Sequence, residues 1–218
     1  MPGNQMSTEL DDIVAVGGNL RPDTLLAAYR RGVFPWPGEG LPLLWYCPRE
    51  RAVLEFTDLH IGRNLARARR KCGLEFTIDR AFGSVIRACA EIPRADQEGT
   101  WITEEMIGAY EDMHRLGRAH SVEAWRDGAL VGGLYGIDPG GAFCGESMFH
   151  LEADASHLAL LHLIDHLKTR GLDWIDIQVM TPHMERLGAQ EVPREQFLAR
   201  LEETLEKSLT LFAPACAL

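Results

Sequence analysis

Asp176 and Gln178 stand two residues apart in the apolar run WIDIQV, residues 174–179. Strand alternation puts both on one face, with Ile175, Ile177 and Val179 on the other. Two readings fit: a polar face turned to solvent, or a carboxylate and an amide presented together to a ligand. Glu146, in the neighbouring strand-like stretch FCGESMF (143–149), adds a second carboxylate and favours the ligand reading. Other chemistry is less well provided for. His162 and His166 have the i, i+4 spacing of two metal ligands on a helix. They lie with Asp165 at the polar edge of the stripe Leu160, Leu161, Leu163, Ile164 and Leu167, with no further ligand or HExxH pattern, and read as a solvated face. Gly145-Glu146-Ser147-Met148-Phe149 lacks the closing glycine of a GxSxG nucleophile elbow. Cys144 has no histidine base placed beside it.

The elements that must position these residues are legible from the same stretch. A strand ending near Phe149 leads through a short polar break into an amphipathic helix at about 156–169, and a strand at 174–179 follows. A strand, a helix and a strand in about forty residues suffice for a parallel crossover, and ligands of such folds gather where strands end and helices begin. Before them, His120–Trp125, Ala129–Ile137 and Ala142–Phe149 alternate as strands around the turns Arg126-Asp127-Gly128 and Asp138-Pro139-Gly140-Gly141. The predicted fold class is α/β, an acetyltransferase-like (GNAT-like) domain over 57–218 preceded by a small α+β domain over 1–56. Coenzyme-A-dependent members of that fold class hold a pyrophosphate on a glycine-rich loop before the long helix. Here residues 150–156 read HLEADAS, without glycine and with two carboxylates, which argues against that cofactor.

In the first half, Pro22-Asp23 suits a helix start, residues 24–30 the helix and Gly32 its end. Prolines at 35, 37, 42 and 48 then forbid a long helix. Trp36, Trp45 and Tyr46 form either a small satellite core or an aromatic wall for a planar ligand such as a nucleobase. Arg51–Thr57 reads as a strand. IGRNLARARRKC (61–72) holds five positive residues and no acidic one. At about 100° per residue, Arg63, Arg67, Arg70 and Lys71 share one face opposite Ile61, Leu65, Ala68 and Cys72. That cationic face is either solvated or a phosphate-backbone contact. A strand at 75–78 and a helix at 80–90 follow; Thr103 then fits an N-cap for a helix running to Gly117.

Composition sets the frame. The 218 residues, 46% hydrophobic, suffice for one large domain or one with a small companion. No apolar run approaches the ~18 residues of a membrane span, and the acidic, polar start is unlike a signal peptide. Five scattered cysteines without CxxC spacing suggest reduced thiols and a cytoplasmic protein. The net charge is −10, but residues 1–100 hold 13 basic and 13 acidic side chains against 9 and 19 in the remainder, so the first half is free to host a basic patch.

VGGNL, YRRGVFPWP and PRERAVL in the first half, then GTWIT (99–103), AHSVEAW (119–125), LVGGLYG (130–136), FCGESMF and LGAQEVPREQF (187–197), resemble the leucyl/phenylalanyl-tRNA–protein transferase family collinearly over about 12–200. The resemblance implies transfer of Leu or Phe, with Met a further candidate, from aminoacyl-tRNA to the N-terminal amine of an acceptor protein, typically one beginning with Arg or Lys, without metal or coenzyme; a monomer is expected. It further implies that Asp176 and Gln178 lie at the reacting centre. Gln178 would accept a hydrogen bond from the attacking amine, Asp176 would hold that arrangement, and Glu146 would orient a polar group of the substrate. Trp36 is expected against the terminal adenosine. Trp101, Leu134, Phe143, Met148, Leu163 and Leu167 are expected around the Leu or Phe side chain, with Gly145 allowing the bulge that brings Phe143 and Glu146 to one site. Arg63, Arg67, Arg70 and Lys71 would carry the tRNA acceptor stem. Leu134, Leu163 and Leu167 stand where better-known members have larger Met or Phe side chains. The rival readings are a coenzyme-A-dependent N-acyltransferase and a non-catalytic binder of basic N-termini.

Overall fold

A computed structural model describes residues 10–36, 42–92 and 102–213. The first strand, β1 (Ile13–Val16), and helix α1 (Pro22–Tyr29) lead to two short strands, β2 (Phe34–Trp36) and β3 (Leu44–Tyr46). β1, β3 and β2 make a small antiparallel sheet in that order. The stretch rich in proline and aromatics thus forms paired strands that sequence alone did not reveal, because each is only three or four residues long. Phe34, Trp36 and Tyr46 pack ring against ring with centroids 6.1–6.3 Å apart.

The chain then supplies β4 (Glu50–Glu55), α2 (Arg63–Lys71), β5 (Glu75–Ile78), α3 (Phe82–Glu91), α4 (Glu104–Arg115), β6 (Ala119–Arg126), β7 (Ala129–Ile137), β8 (Cys144–His150), α5 (Ala155–Thr169), β9 (Trp174–Gln178), α6 (Pro182–Arg186), β10 (Gln190–Pro193) and α7 (Arg194–Glu206). Seven of these strands form one mixed sheet in the order β10-β4-β9-β8-β7-β6-β5. Only β8 and β9 run parallel, across the α5 crossover. β4 lies on the amino-terminal side of the 56/57 division expected from sequence, yet it is hydrogen-bonded between β9 and β10 inside the large sheet.

The local chemistry of the elements follows ordinary rules. Thr103 Oγ1 accepts from the Met106 N–H at 3.2 Å and caps α4. Asp127 and Gly128 both take positive φ in the β6–β7 turn, as a tight hairpin requires. Consecutive glycines in β7 face opposite layers. A Cβ on Gly132 would lie 2.6 Å from Ala155 of α5, and one on Gly133 would lie 2.7 Å from the Val122 carbonyl and 3.4 Å from Val85 of α3. Helices therefore press on both faces of the sheet at its middle, and each face carries its own apolar core. α1 and the small sheet belong to the α3–α4 side, while α5 and α7 belong to the other.

Candidate active site

β8 and β9 share one paired position, Cys144 with Asp176. Beyond it the strands part, and the gap opens into a cavity of about 620 Å³ between Gly145–His150 on one side and Ile175, Ile177, Gln178 and Val179 on the other. Leu134, Phe143, Met148, Leu160 and Leu163 are among its apolar lining residues. Convergent polar groups in an apolar cleft are what a small-ligand site requires.

Glu146 is the first of those groups. The register of β7 on β8 pairs Tyr135 with Ser147 and Gly136 with Gly145, so Glu146 is the extra residue of a β-bulge. The bulge was expected at Gly145, yet the glycine that it requires is the one opposite. A Cβ on Gly136 would fall 2.4 Å from the Cys144 carbonyl, whereas one on Gly145 would meet only the Asp176 carbonyl at 3.6 Å. The Glu146 carboxylate accepts from the Tyr29 hydroxyl at 2.8 Å, the Gln178 Nε2 at 2.8 Å and the Tyr110 hydroxyl at 3.3 Å. The two tyrosine hydroxyls lie 2.6 Å apart. Burial raises the Glu146 pKa to about 7, with the tyrosine hydrogen bonds opposing and the Asp176 charge adding to the shift. The same burial, reinforced by Glu146, pushes both tyrosines well above their ordinary range, so they stay neutral donors.

Asp176 is placed differently from the expectation that it would share an open face with Gln178. Its carboxylate is buried and held by Arg51 of β4, Nε to Oδ1 at 2.8 Å and Nη2 to Oδ2 at 2.7 Å. It does not line the cavity; Ile175 and Ile177 do. Gln178 reaches the cavity because alternation fails at that residue. Its φ is +57°, and the Val179 N–H bonds the Ile177 carbonyl at 2.7 Å across it. This is a γ-turn of the rare, strained kind. The Gln178 N–H is fixed in turn by Asp176 Oδ1 at 2.9 Å. With Nε2 committed to Glu146, the amide offers its carbonyl oxygen to whatever occupies the cavity. Cys144 is buried, and burial with the neighbouring Asp176 drives its thiol well above the ordinary range, so it stays protonated and poorly nucleophilic.

The remaining expected residues separate. Leu134, Phe143, Gly145, Met148 and Leu163 line the cavity. Leu167 is instead fully buried in the core and absent from the lining, a correction to the expectation that it pairs with Leu163 on the pocket wall. Trp36 packs edge-on to Phe34 and Tyr46 in the small sheet and is likewise absent from the lining. Trp101 falls outside the described residues. His162 and His166 are half-buried and not a solvated face: His162 stacks on Phe76 with centroids 5.2 Å apart, and His166 Nε2 lies 2.8 Å from the Leu211 carbonyl. Among the described residues no cluster of three His, Cys, Asp or Glu could hold a metal ion, and no helix is long and apolar enough to cross a membrane. Sequence reading missed Arg51, Tyr29 and Tyr110. Arg51 carried a signal in hindsight, a cation at an inward position of an apolar strand; the tyrosines carried none, because their partner is more than thirty residues away in each case. It also missed His157 and His183, which line the cavity edge-to-face with centroids 5.7 Å apart. Burial lowers both, His183 to about 4, so that rim is uncharged at neutral pH.

Away from the cavity, α2 presents Arg63, Arg67, Arg70 and Lys71 to solvent. Among the described residues no ion pair reaches these four, while Arg69 pairs with Asp165 and anchors the helix to α5. Arg67 and Lys71 border a shallow groove with Asn64, Ala68 and Cys72.

A family described as leucyl/phenylalanyl-tRNA protein transferase matches residues 53–202, and the N-terminal domain of that family matches residues 18–49. Three similar proteins named leucyl/phenylalanyl-tRNA–protein transferase come from Anaeromyxobacter sp. (strain Fw109-5), Idiomarina loihiensis and Syntrophobacter fumaroxidans. They are 51%, 50% and 50% identical over 91%, 92% and 90% of this chain, and 85%, 85% and 84% of their own lengths. Among solved structures, a functionally unknown conserved protein from Staphylococcus epidermidis aligns at 12% identity with a TM-score of 0.44, over 66% of this chain and 57% of its own. The resemblance carried by the short motifs thus extends over both halves of the sequence at half identity, cavity and basic helix included, and the chain belongs to the leucyl/phenylalanyl-tRNA–protein transferase family.

Proposed function

We propose that this protein moves Leu or Phe from aminoacyl-tRNA onto the N-terminal amine of an acceptor protein beginning with Arg or Lys, and that the cavity between β8 and β9 is where the bond forms. The observation carrying that reading is an apolar cleft into which one oriented amide, Gln178, and one buried carboxylate, Glu146, project together. The ester of aminoacyl-tRNA is already activated. The acceptor amine, with a pKa near ~7.7–8.0, is partly neutral at cellular pH. Its nitrogen adds to the ester carbonyl, a C–N bond forms, the C–O bond to the ribose breaks, and the amine proton leaves with the ribose oxygen. Alignment supplies much of the acceleration. The Gln178 carbonyl accepts from the attacking amine, Glu146 holds the amide in that orientation and offers negative charge to the ammonium as it forms, and Asp176 acts from beneath by fixing the Gln178 backbone.

The finer assignments are proposals of the same kind. We read the large sheet as a GNAT-like acyltransferase domain, supported by the parting of its single parallel strand pair. A small N-terminal unit precedes it; because β4 is paired inside the large sheet, we put the boundary before Glu50 and not at 56/57. Trp36 is kept for the terminal adenosine and Trp101 for the Leu or Phe side chain. We also propose that the protein acts as a cytoplasmic monomer. A coenzyme-A enzyme would have to hold a pyrophosphate beside Glu152, whose carboxylate already pairs with Arg126 at 2.7 Å.

The test is transfer of labelled Phe and Leu from their tRNAs to an Arg-starting peptide, in wild type and in Leu163→Phe. Leu163 lines the cavity, and a larger ring there takes up space that a Phe substrate would use. The kcat/KM ratio for Phe over Leu should fall about tenfold, the worth of one or two methylenes of fit. No transfer from either tRNA sinks the function; transfer with an unmoved ratio removes Leu163 from the substrate pocket.

For α2, Arg63, Arg67, Arg70 and Lys71 replaced together by Ala should weaken tRNA binding and flatten its log–log salt dependence by up to ~0.9 per lost phosphate contact. Transfer from aminoacyl-adenosine should persist. An unchanged salt slope would return this face to solvation.

A further inference from the structure

Beneath the cavity, Arg51 makes more contacts than a counter-ion needs. Its guanidinium lies over the rings of Phe34 and Phe197, 4.7 and 4.5 Å from their centroids. It donates to Asp176 through two nitrogens and to the Gly32 carbonyl from Nη1 at 3.1 Å. The side chain is 1% exposed. Gly32 has φ of +72°, and a Cβ there would sit 2.6 Å from Leu198 and 2.7 Å from Phe197. Glycine at that site therefore lets α7 close over the guanidinium. The group is held against two rings and along its edge, so the position of the Asp176 carboxylate is set to within a bidentate fork.

That precision matters because of what Asp176 does next. Oδ1, which accepts from Arg51 Nε, also accepts the Gln178 N–H. This N–H belongs to the residue at the centre of the strained turn, and left-handed backbone at a non-glycine residue persists only when its surroundings fix it. From that turn the side chain leaves toward Glu146 instead of continuing the strand's alternation. We propose that Arg51 is a positioning residue for aminoacyl transfer, acting through Asp176 to hold the Gln178 turn and so to aim the Gln178 amide into the cavity. The inference rests on the reading that Gln178 acts at the reacting bond. It assigns Arg51 no contact with substrate.

The test is a double-mutant cycle in the full chain with Arg51→Met, Asp176→Asn and both together, each checked for a cooperative melt. Arg51→Met alone leaves a buried carboxylate without its cation and risks unfolding. The pair removes both charges, a change that buried ion pairs often tolerate, and the amide introduced by Asp176→Asn keeps an oxygen for the Gln178 N–H. Expected are a ~30-fold fall in kcat for Arg51→Met with KM for aminoacyl-tRNA within ~3-fold, and a double variant at least tenfold more active than the product of the single losses. Arg51→Lys should recover less than the double variant, since an ammonium cannot make the fork. Multiplying losses, or a rise in KM beyond ~3-fold alongside the fall in kcat, overturn the proposal in favour of plain packing. Gln178→Ala run alongside separates the two layers. If it retains full transfer, the reading of Gln178 fails; if it is inactive while folded Arg51→Met turns over like wild type, only the role of Arg51 fails.

Discussion

Gln178→Ala is expected to lower kcat by about 10²–10³-fold, the usual loss when one preoriented hydrogen-bonding group is removed from a reacting centre. Aminoacyl-tRNA affinity should stay within about threefold. The amide has two ends with separate work: Nε2 donates to Glu146 at 2.8 Å, and the carbonyl is left for the amine. Alanine removes both and leaves the buried carboxylate short of a donor. Gln178→Glu should be no better, because it sets a second carboxylate against Glu146 where no cation intervenes, and like charges at that distance repel strongly in a buried site. The measurement is single-turnover transfer to a model peptide together with direct tRNA binding. Equal losses in binding and turnover would make Gln178 a binding group and end its mechanistic role.

Glu146→Gln is expected to raise stability while lowering transfer. The carboxyl ionises near 4.5 in an unfolded chain and at about 7 here. Between those values the unfolded chain has released its proton and the folded one has kept it, so rising pH favours unfolding; above pH 7 the full loss stands. The difference corresponds to about 3 kcal/mol. Glutamine keeps the useful contacts, with its carbonyl accepting from Tyr29 and Gln178 and its NH₂ donating to the Tyr110 oxygen. At pH 8 the variant should melt about 6–12 °C higher than wild type, and at pH 4.5 the two should melt together. A difference of equal size at both pH values would falsify the assignment and point to packing instead. Wild-type kcat should fall as pH drops through about 7, because a protonated Glu146 no longer opposes the ammonium.

Long elements with strict patterns were readable in advance. The meander β6–β7–β8, the crossover helix α5 and the cap at Thr103 follow from hairpin chemistry, helical periodicity and a single hydroxyl, all local in sequence. Glu146, Gln178 and the apolar lining from Leu134, Phe143, Met148 and Leu163 were reached from strand residues and the family resemblance. The failures share a cause. Alternation assigned Asp176 and Gln178 to one face, and no pattern in the local sequence announces the positive φ that separates them; the carboxylate that accepts from the Gln178 N–H is itself held by Arg51, 125 positions before Asp176. Leu167 lies one helical turn from Leu163, but β8 and β9 part only beyond Cys144 and Asp176, so the cavity ends before reaching it. Strands of three or four residues, as in the small sheet, are too short to show a period at all.

β4 sits between β9 and β10, and both partners are translated long after it. Its buried run Arg51-Ala52-Val53-Leu54 has no earlier strand in the large sheet to pair with, so the loop that closes this centre spans most of the chain. Closure entropy must be met before those pairings return anything, and proteins dominated by such distant contacts fold slowly. The arrangement that braces Gln178 therefore ties the reacting centre to pairings between distant parts of the chain, the contacts whose closure costs most.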